Sequence, residues 1–356
     1  MQQRERSLDM FRGLTLAAMI MVNTPGTWAH IYAPLRHASW HGITPTDLIF
    51  PFFVFIVGAA MFHSMGKLVG QAIPGKRIGK RAGLLFLIGL GLNAFPFTEA
   101  FESLRYMGVL QRIAIAYFIG AVLIVSLPRN GLWIACGGIL LGYWGLLNTV
   151  PEPYTLEGNI VRQWDLALIG ANHLYQGFGV AFDPEGLLST LPAVVTLLMG
   201  YQTSAMLSNT SGAQNKCKKL LALAAIALTA GCVWNTVLPI NKALWTSSYV
   251  LVTTAWAWII LAAIIFVVDI VKQDKGFKWM EIYGTNPLFI YVLAWLYASV
   301  LLLIPVGNTS AYGALYQALT IPLSEKAASL AFALIAVSIF YALSHWLYKK
   351  RIFIKL

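Results

Sequence analysis

Charge is scarce in this sequence. Only 11% of its 356 residues are Asp, Glu, Lys or Arg, against about a quarter in an ordinary soluble domain. A chain so poor in charge cannot cover a water-facing surface, which excludes the usual soluble globular classes. Acids are scarcer than bases, 14 against 25. Cysteine is nearly absent. Cys136, Cys217 and Cys232 share no ligand or redox spacing and fall in or beside apolar runs, so they read as small apolar residues and not as disulfide partners. No soluble domain, fixed-period repeat or low-complexity tract is visible. No cleavable signal peptide is expected either, because the start MQQRERSLDMFRG is polar and lacks a small-residue cleavage site. The stretch GQAIPGKR at 70–77 has the spacing of a phosphate loop but ends in Arg77, where Ser or Thr is needed, and reads as a basic loop.

What is there is apolar length. Hydrophobic residues make up 58% of the chain, and runs of about 18 or more, enough to cross a bilayer core, recur from end to end. They predict an all-α polytopic membrane protein with about ten transmembrane helices, near 10–28, 46–66, 82–97, 107–127, 131–149, 188–208, 219–238, 247–271, 286–304 and 328–348. Residues 1–356 are expected to form a single transmembrane domain in the lipid bilayer. The loops on the side of the amino terminus hold 18 Lys and Arg and the opposite loops hold 5, with Arg12 and Arg112 inside spans. Basic loops stay in the cytoplasm, so both termini are expected there. The net charge of +11 then reports orientation, and no nucleic-acid partner is expected. Three long connections, 29–45, 150–187 and 305–327, fall on the outer side, and loops of that length are usually functional.

Polar residues gather toward the same outer half. LRHASWHGITPTDLIFPFFVF (35–55) places His37, Trp40, His41 and Asp47 at the start of an apolar helix. TPTD at 44–47 reads as a helix start, with Thr44 as N-cap, Pro45 at the first position and Asp47 reaching back, so Asp47 has a structural reading by itself. Pro51 is expected to kink that helix, and the carbonyl it frees needs a partner. A His at a cavity mouth suits a general base or a nucleophile; the residues alone do not choose among His30, His37 and His41. No carboxylate or thiolate spacing completes a metal site around them, and no metal is expected. His63 and His345 read as interface residues at cytoplasmic span ends, and His173 in the outer loop is unassigned.

Ionisable groups at membrane depth are costly and usually paired. Asp9 and Arg12 share a helix face and read as an interfacial ion pair, although Arg12 also suits an anionic ligand. Arg105 and Arg112, seven residues apart, share a face at the mouth of the fourth span. DPEGLLSTLPA (183–193) reads as a helix opened by an Asp183 N-cap, with Glu185 a candidate partner for Arg105 or Arg112. PINKALWTSSYV (239–250) offers Lys242, Trp245, Ser247 and Ser248, a set that suits a phosphate and a stacked base as well as it suits a short outer loop. Asn286 reads as a cap before Pro287.

In order along the chain, RSLDMFRGLTLAAMIMVN (6–23), HASWHGITPTDLIFPFFVFIVG (37–58), RYMGVLQRIAIAY (105–117), DPEGLLSTLPA (183–193) and NKALWTSSYV (241–250) resemble the heparan-α-glucosaminide N-acetyltransferase family, specifically its bacterial branch linked to N-acetylglucosamine use. The resemblance covers nearly the whole chain; lysosomal members carry an additional amino-terminal region and first span. It implies transfer of acetyl from cytoplasmic acetyl-CoA, across a bacterial inner membrane, to the amine of a glucosamine-type sugar outside. It implies His37, in HASW, as catalytic base or acetyl carrier, and Asn23 as the residue assisting at the reacting centre. Arg105, Arg112, Lys242, Trp245, Ser247 and Ser248 would hold the CoA head if it sits high, and Arg12 with Lys76 or Arg77 if it sits low. Trp40, Asp47 and Glu185 are the candidate sugar contacts, and the lysosomal relatives imply a homodimer. A sugar or amino-sugar transporter, or an acyltransferase of another outer glycan, are the alternatives.

Overall fold

The computed structural model describes residues 6–98, 100–273 and 275–354; Arg4 and Lys355, counted above among the basic residues, lie outside the described residues. The described residues form thirteen α-helices: α1 (Arg6–Asn23), α2 (Ile49–Met65), α3 (Gly75–Ala94), α4 (Val109–Ser126), α5 (Arg129–Leu147), α6 (Ile160–Leu168), α7 (Thr190–Ser208), α8 (Ala213–Trp234), α9 (Ser247–Ile265), α10 (Lys278–Tyr283), α11 (Pro287–Leu303), α12 (Ala311–Thr320) and α13 (Glu325–Lys349). The strand content among them is one two-residue ribbon, β1 (Pro305–Val306) against β2 (Thr309–Ser310).

Each of the ten predicted segments is helical, and the chain is a multi-pass membrane protein. Among the described residues six helices are long and apolar enough to cross a membrane, or seven if the pair around the 76° bend before α11 forms one span. The other three predicted segments fall short for visible reasons. Helix α1 carries Arg6, Asp9 and Arg12, and α3 opens with Lys76, Arg77, Lys80 and Arg81. Helix α7 has no charge but holds Thr190, Thr196, Gln202, Thr203 and Ser204, all buried. A helix whose neighbours are other helices need not be apolar, since its hydroxyls find partners in protein.

Helix α7 is the centre of the bundle and packs against α2, α4, α5 and α9. Its approach to α2 is set by two glycines. A Cβ on Gly58 would lie 1.7 Å from the Leu197 carbonyl oxygen, and one on Gly200 would lie 1.8 Å from the Phe55 oxygen. Only hydrogen at both positions lets the two backbones touch.

The connections predicted to share a side meet at one end. Gly42 N donates to the Ile240 oxygen at 2.8 Å, Tyr106 N to His173 at 3.2 Å and Gly26 N to Ser329 at 3.1 Å. Trp40 Nε1 donates to the Tyr154 carbonyl at 2.7 Å. At the other end Arg6 pairs with Glu281 at 3.0 Å and Gly70 N donates to Val125 at 2.9 Å.

Two local readings need correction. Asp183 does not cap α7, which starts at Thr190. Its carboxylate accepts the Glu185 N–H at 2.9 Å and closes a turn around Pro184 instead. Asn286 precedes α11 but makes no side-chain cap. Its amide donates to the Ile352 carbonyl at 3.0 Å and accepts the Ile354 N–H at 2.7 Å, binding the end of the described chain like a neighbouring strand.

Candidate active site

The helix start at Thr44 and the histidine loop are one structure. Thr44 is extended, Pro45 begins a 3-10 turn that runs into α2, and Asp47 is the third residue of that turn. Asp47 Oδ2 accepts the Thr44 N–H, the Thr44 hydroxyl and the Ala38 N–H, each at 3.0 Å. That oxygen is filled, and the side chain is 1% exposed. Oδ1 is left for His37, whose Nδ1 lies 2.7 Å away. Asp47 is therefore both the returning half of the capping box and the partner of the histidine. Both polar contacts of His37 are to Nδ1; among the described residues Nε2 makes none. A carboxylate on Nδ1 holds the proton there and leaves the Nε2 lone pair available, the tautomer a general base requires.

The second contact comes from the far side of the sequence. Lys242 Nζ is 3.0 Å from His37 Nδ1 and 3.4 Å from Asp47 Oδ1. Its turn is stapled by buried groups. Asn241 Oδ1 accepts the Leu244 N–H at 2.8 Å, and the Thr246 hydroxyl accepts the Asn241 N–H at 3.0 Å. Trp245 takes a left-handed backbone, φ 49°, within this turn, a strained choice for a large residue that only its surroundings can hold. Its ring is buried against Phe50 and Tyr249, and its Nε1 donates to Thr196 Oγ1 at 3.2 Å. Burial pushes the Lys242 ammonium below its ordinary pKa, against the pull of Asp47 and Glu185.

A second polar cluster lies beside the first. Arg105 forks onto Asp183, Nε to Oδ2 at 2.8 Å and Nη2 to Oδ1 at 2.7 Å, and reaches Glu185 at 2.6 Å. Tyr175 covers the guanidinium from one face. These carboxylates raise the Arg105 pKa despite burial. Arg112 is wholly buried, lies over the Trp245 ring at 4.9 Å and donates to Ser189 Oγ. Asp165, on α6, is also wholly buried; its Oδ1 accepts the Leu187 N–H at 3.0 Å. Burial pushes its pKa up to about 7.

The expected residues thus fall into groups. His37, Asp47 and Lys242 converge, with Trp40 beside them packed edge-on against Phe178 and Phe182 and His41 facing Asn241 at 3.3 Å. Glu185 joins Arg105, not Arg112. Ser247 donates to the Leu140 carbonyl and Ser248 faces Thr246 Oγ1, both inside the core. Arg12 pairs with Asp9 near the opposite end of α1. Asn23 ends α1, is exposed and makes no side-chain hydrogen bond among the described residues. Asp183 as the main partner of Arg105, and Asp165, were not foreseen. An acid among the apolar residues of the short run IVRQWDLAL was the available signal for the latter.

An apolar groove of about 260 Å³ runs beside this site. Helix α1 lines it from Phe11 to Val22, and Leu35, Thr46 and Phe52 close it against the histidine loop.

The family model described as heparan-alpha-glucosaminide N-acetyltransferase, catalytic, matches residues 4–231. The chain belongs to that family. The heparan-alpha-glucosaminide N-acetyltransferase of Homo sapiens is 30% identical over 351 residues, covering 81% of this chain and 52% of that protein. The enzyme of that name from Mus musculus is 30% identical over 351 residues, covering 81% and 53%. The chain spans about half the length of these curated relatives. The stretch matched to the family includes the histidine loop, Asp47, Arg105, Arg112, Asp183 and Glu185; Lys242 lies beyond it.

Proposed function

We propose that this family member is a membrane-bound N-acetyltransferase that moves acetyl from acetyl-CoA on the cytoplasmic side to the amine of a glucosamine-type sugar on the outer side. The observation that carries the reading is the 2.7 Å contact between His37 Nδ1 and Asp47 Oδ1 in a chain of this family. His37 Nε2 takes a proton from the sugar amine as the nitrogen attacks the thioester carbonyl. The C–N bond forms, the C–S bond breaks, and the proton on Nε2 passes to the departing thiolate, so the imidazole ends as it began. Asn23, at the outer end of α1, supplies an amide N–H to the developing oxyanion. The apolar groove along α1 suits the pantetheine arm, and the basic residues of the opposite end suit a cytoplasmic face in an inner membrane. Arg12 at that end, or Arg105 at the other, takes the CoA head; Trp40 and Glu185 flank the sugar.

The test is acetyl transfer by the detergent-purified protein, with labelled acetyl-CoA and glucosamine, beside His37→Gln and Asp47→Asn. Labelled N-acetylglucosamine from the native chain, and a loss of about 100-fold or more in both variants, is the expected result. Full activity in His37→Gln would remove the base. Uptake of glucosamine into vesicles without acetylation would replace this reading with transport. Label retained on the protein before acceptor is added would show an acetyl-imidazole intermediate in place of direct transfer.

A further inference from the structure

His37 stands between two groups of opposite charge. Asp47 contacts Nδ1 at 2.7 Å, and a carboxylate at that distance draws a second proton onto the ring, because it favours the charged form. An imidazolium has no lone pair to offer an amine. Lys242 Nζ lies 3.0 Å from the same ring nitrogen and 3.4 Å from Asp47 Oδ1, so its charge acts on the imidazole with the other sign.

We propose that Lys242 is a positioning residue for His37: its ammonium counterbalances Asp47, keeps the imidazole unprotonated and leaves Nε2 as the base. Nδ1 cannot donate to Asp47 and accept from Lys242 at once. With the proton on Nδ1, the ammonium directs its N–H groups to Oδ1 and carries its charge beside the ring without using the ring's lone pair. The inference rests on the acid–base reading of His37 given above.

The surroundings support a dedicated placement. The Lys242 side chain is only 23% exposed, and a cation so placed is expensive unless paired. Its turn is built from fully buried Asn241, Trp245 and Thr246. The charged and titratable groups that face it come from several elements. Asp47 stands at the head of α2 and His37 and His41 on the loop before it. Glu185 lies in the turn before α7, backed by Asp183 and Arg105, and Arg112 projects from α4. Burial, and to a lesser extent Arg112, lowers the Lys242 pKa, while Asp47 and Glu185 favour its charged form.

The experiment is a titration of His37 by ¹⁵N-imidazole NMR in the detergent-purified full chain, its signal assigned by loss in His37→Gln. Lys242→Met should raise the midpoint by about one pH unit or more, the shift an adjacent charge produces, and Lys242→Arg should restore it. The acid limb of kcat should move up with it, while KM for acetyl-CoA stays within about twofold. Should Lys242→Met fail to fold, Lys242→Gln carries the same test. A midpoint unmoved by removal of the charge would overturn the inference. So would an unmoved acid limb with a tenfold rise in KM, which would make Lys242 a donor contact. Absence of transfer by the native chain with the midpoint shift intact would overturn the proposed function and leave the placement of Lys242 standing.

Discussion

The Tyr249 hydroxyl donates to the backbone carbonyl of Asp47 at 2.6 Å. The need for this bond comes from Pro51, four residues on, which has no N–H to give that carbonyl its helical partner. Tyr249, buried on α9, fills the gap and holds Asp47 from behind while its carboxylate faces His37. In Tyr249→Phe the carbonyl stays buried and unpaired, at a cost of about 1–3 kcal/mol. A lower thermal midpoint in detergent is the expected reading. An unchanged midpoint would mean that another donor reaches Asp47.

Arg105 and Asp183 should be inseparable. Asp183 is fully buried, so Arg105→Ala strands a carboxylate in the protein interior. Removing one partner of such a pair costs roughly 3–5 kcal/mol. Lys at this position keeps the charge but loses the two-pronged geometry, and should recover only part of the stability. Thermal unfolding of Arg105→Ala, Arg105→Lys and the native chain at one pH orders the three. Equal midpoints for Lys and Arg would show that charge alone suffices.

Gly58→Ala tests the contact of α2 with α7. The added methyl would lie 1.7 Å from the Leu197 oxygen, and the helices must separate to admit it. A loss of about 1–3 kcal/mol is expected, visible as a lower midpoint and a poorer monodisperse yield. Gly79→Ala, inside α3 with open space around its Cβ position, is the control and should lower neither, since Ala favours a helix interior over Gly.

Asp165 gives stability a pH dependence. Its pKa in the fold is pushed up to about 7 by burial, from an ordinary value of 3.8. Between those values the folded chain binds the proton more tightly than the unfolded one, so this residue's contribution falls as pH rises from about 4 to 7 and levels off above. Asp165→Asn should flatten that slope, narrowing or reversing its deficit against the native chain as pH rises from 5 to 8. Parallel midpoint curves for the two proteins would place the burial cost elsewhere.

How much of this was legible in the chain follows from the range of the forces involved. Apolar runs and basic loops are local, and each of the ten predicted segments is a helix. The turn at Thr44 to Asp47 was legible for the same reason, because a capping box is written within four residues. The freed carbonyl behind Pro51 was expected, but its partner, Tyr249, lies 202 residues away.

The local sequence was enough for a membrane-embedded helical chain, the helix start at Thr44 to Asp47 and the family to which the chain belongs. Packing had to bring distant segments together before Asp47 could serve the histidine as well as the helix, Asp183 could take Arg105 in place of capping α7, and Lys242 could stand beside His37. The physical reason is the reach of the interactions. Helix propensity, caps and span length act over a few residues and repeat in any copy of the local sequence. A charge at 3.0 Å across 205 residues exists only where the packing of α2, α7 and α9 brings two loops to one end of the bundle.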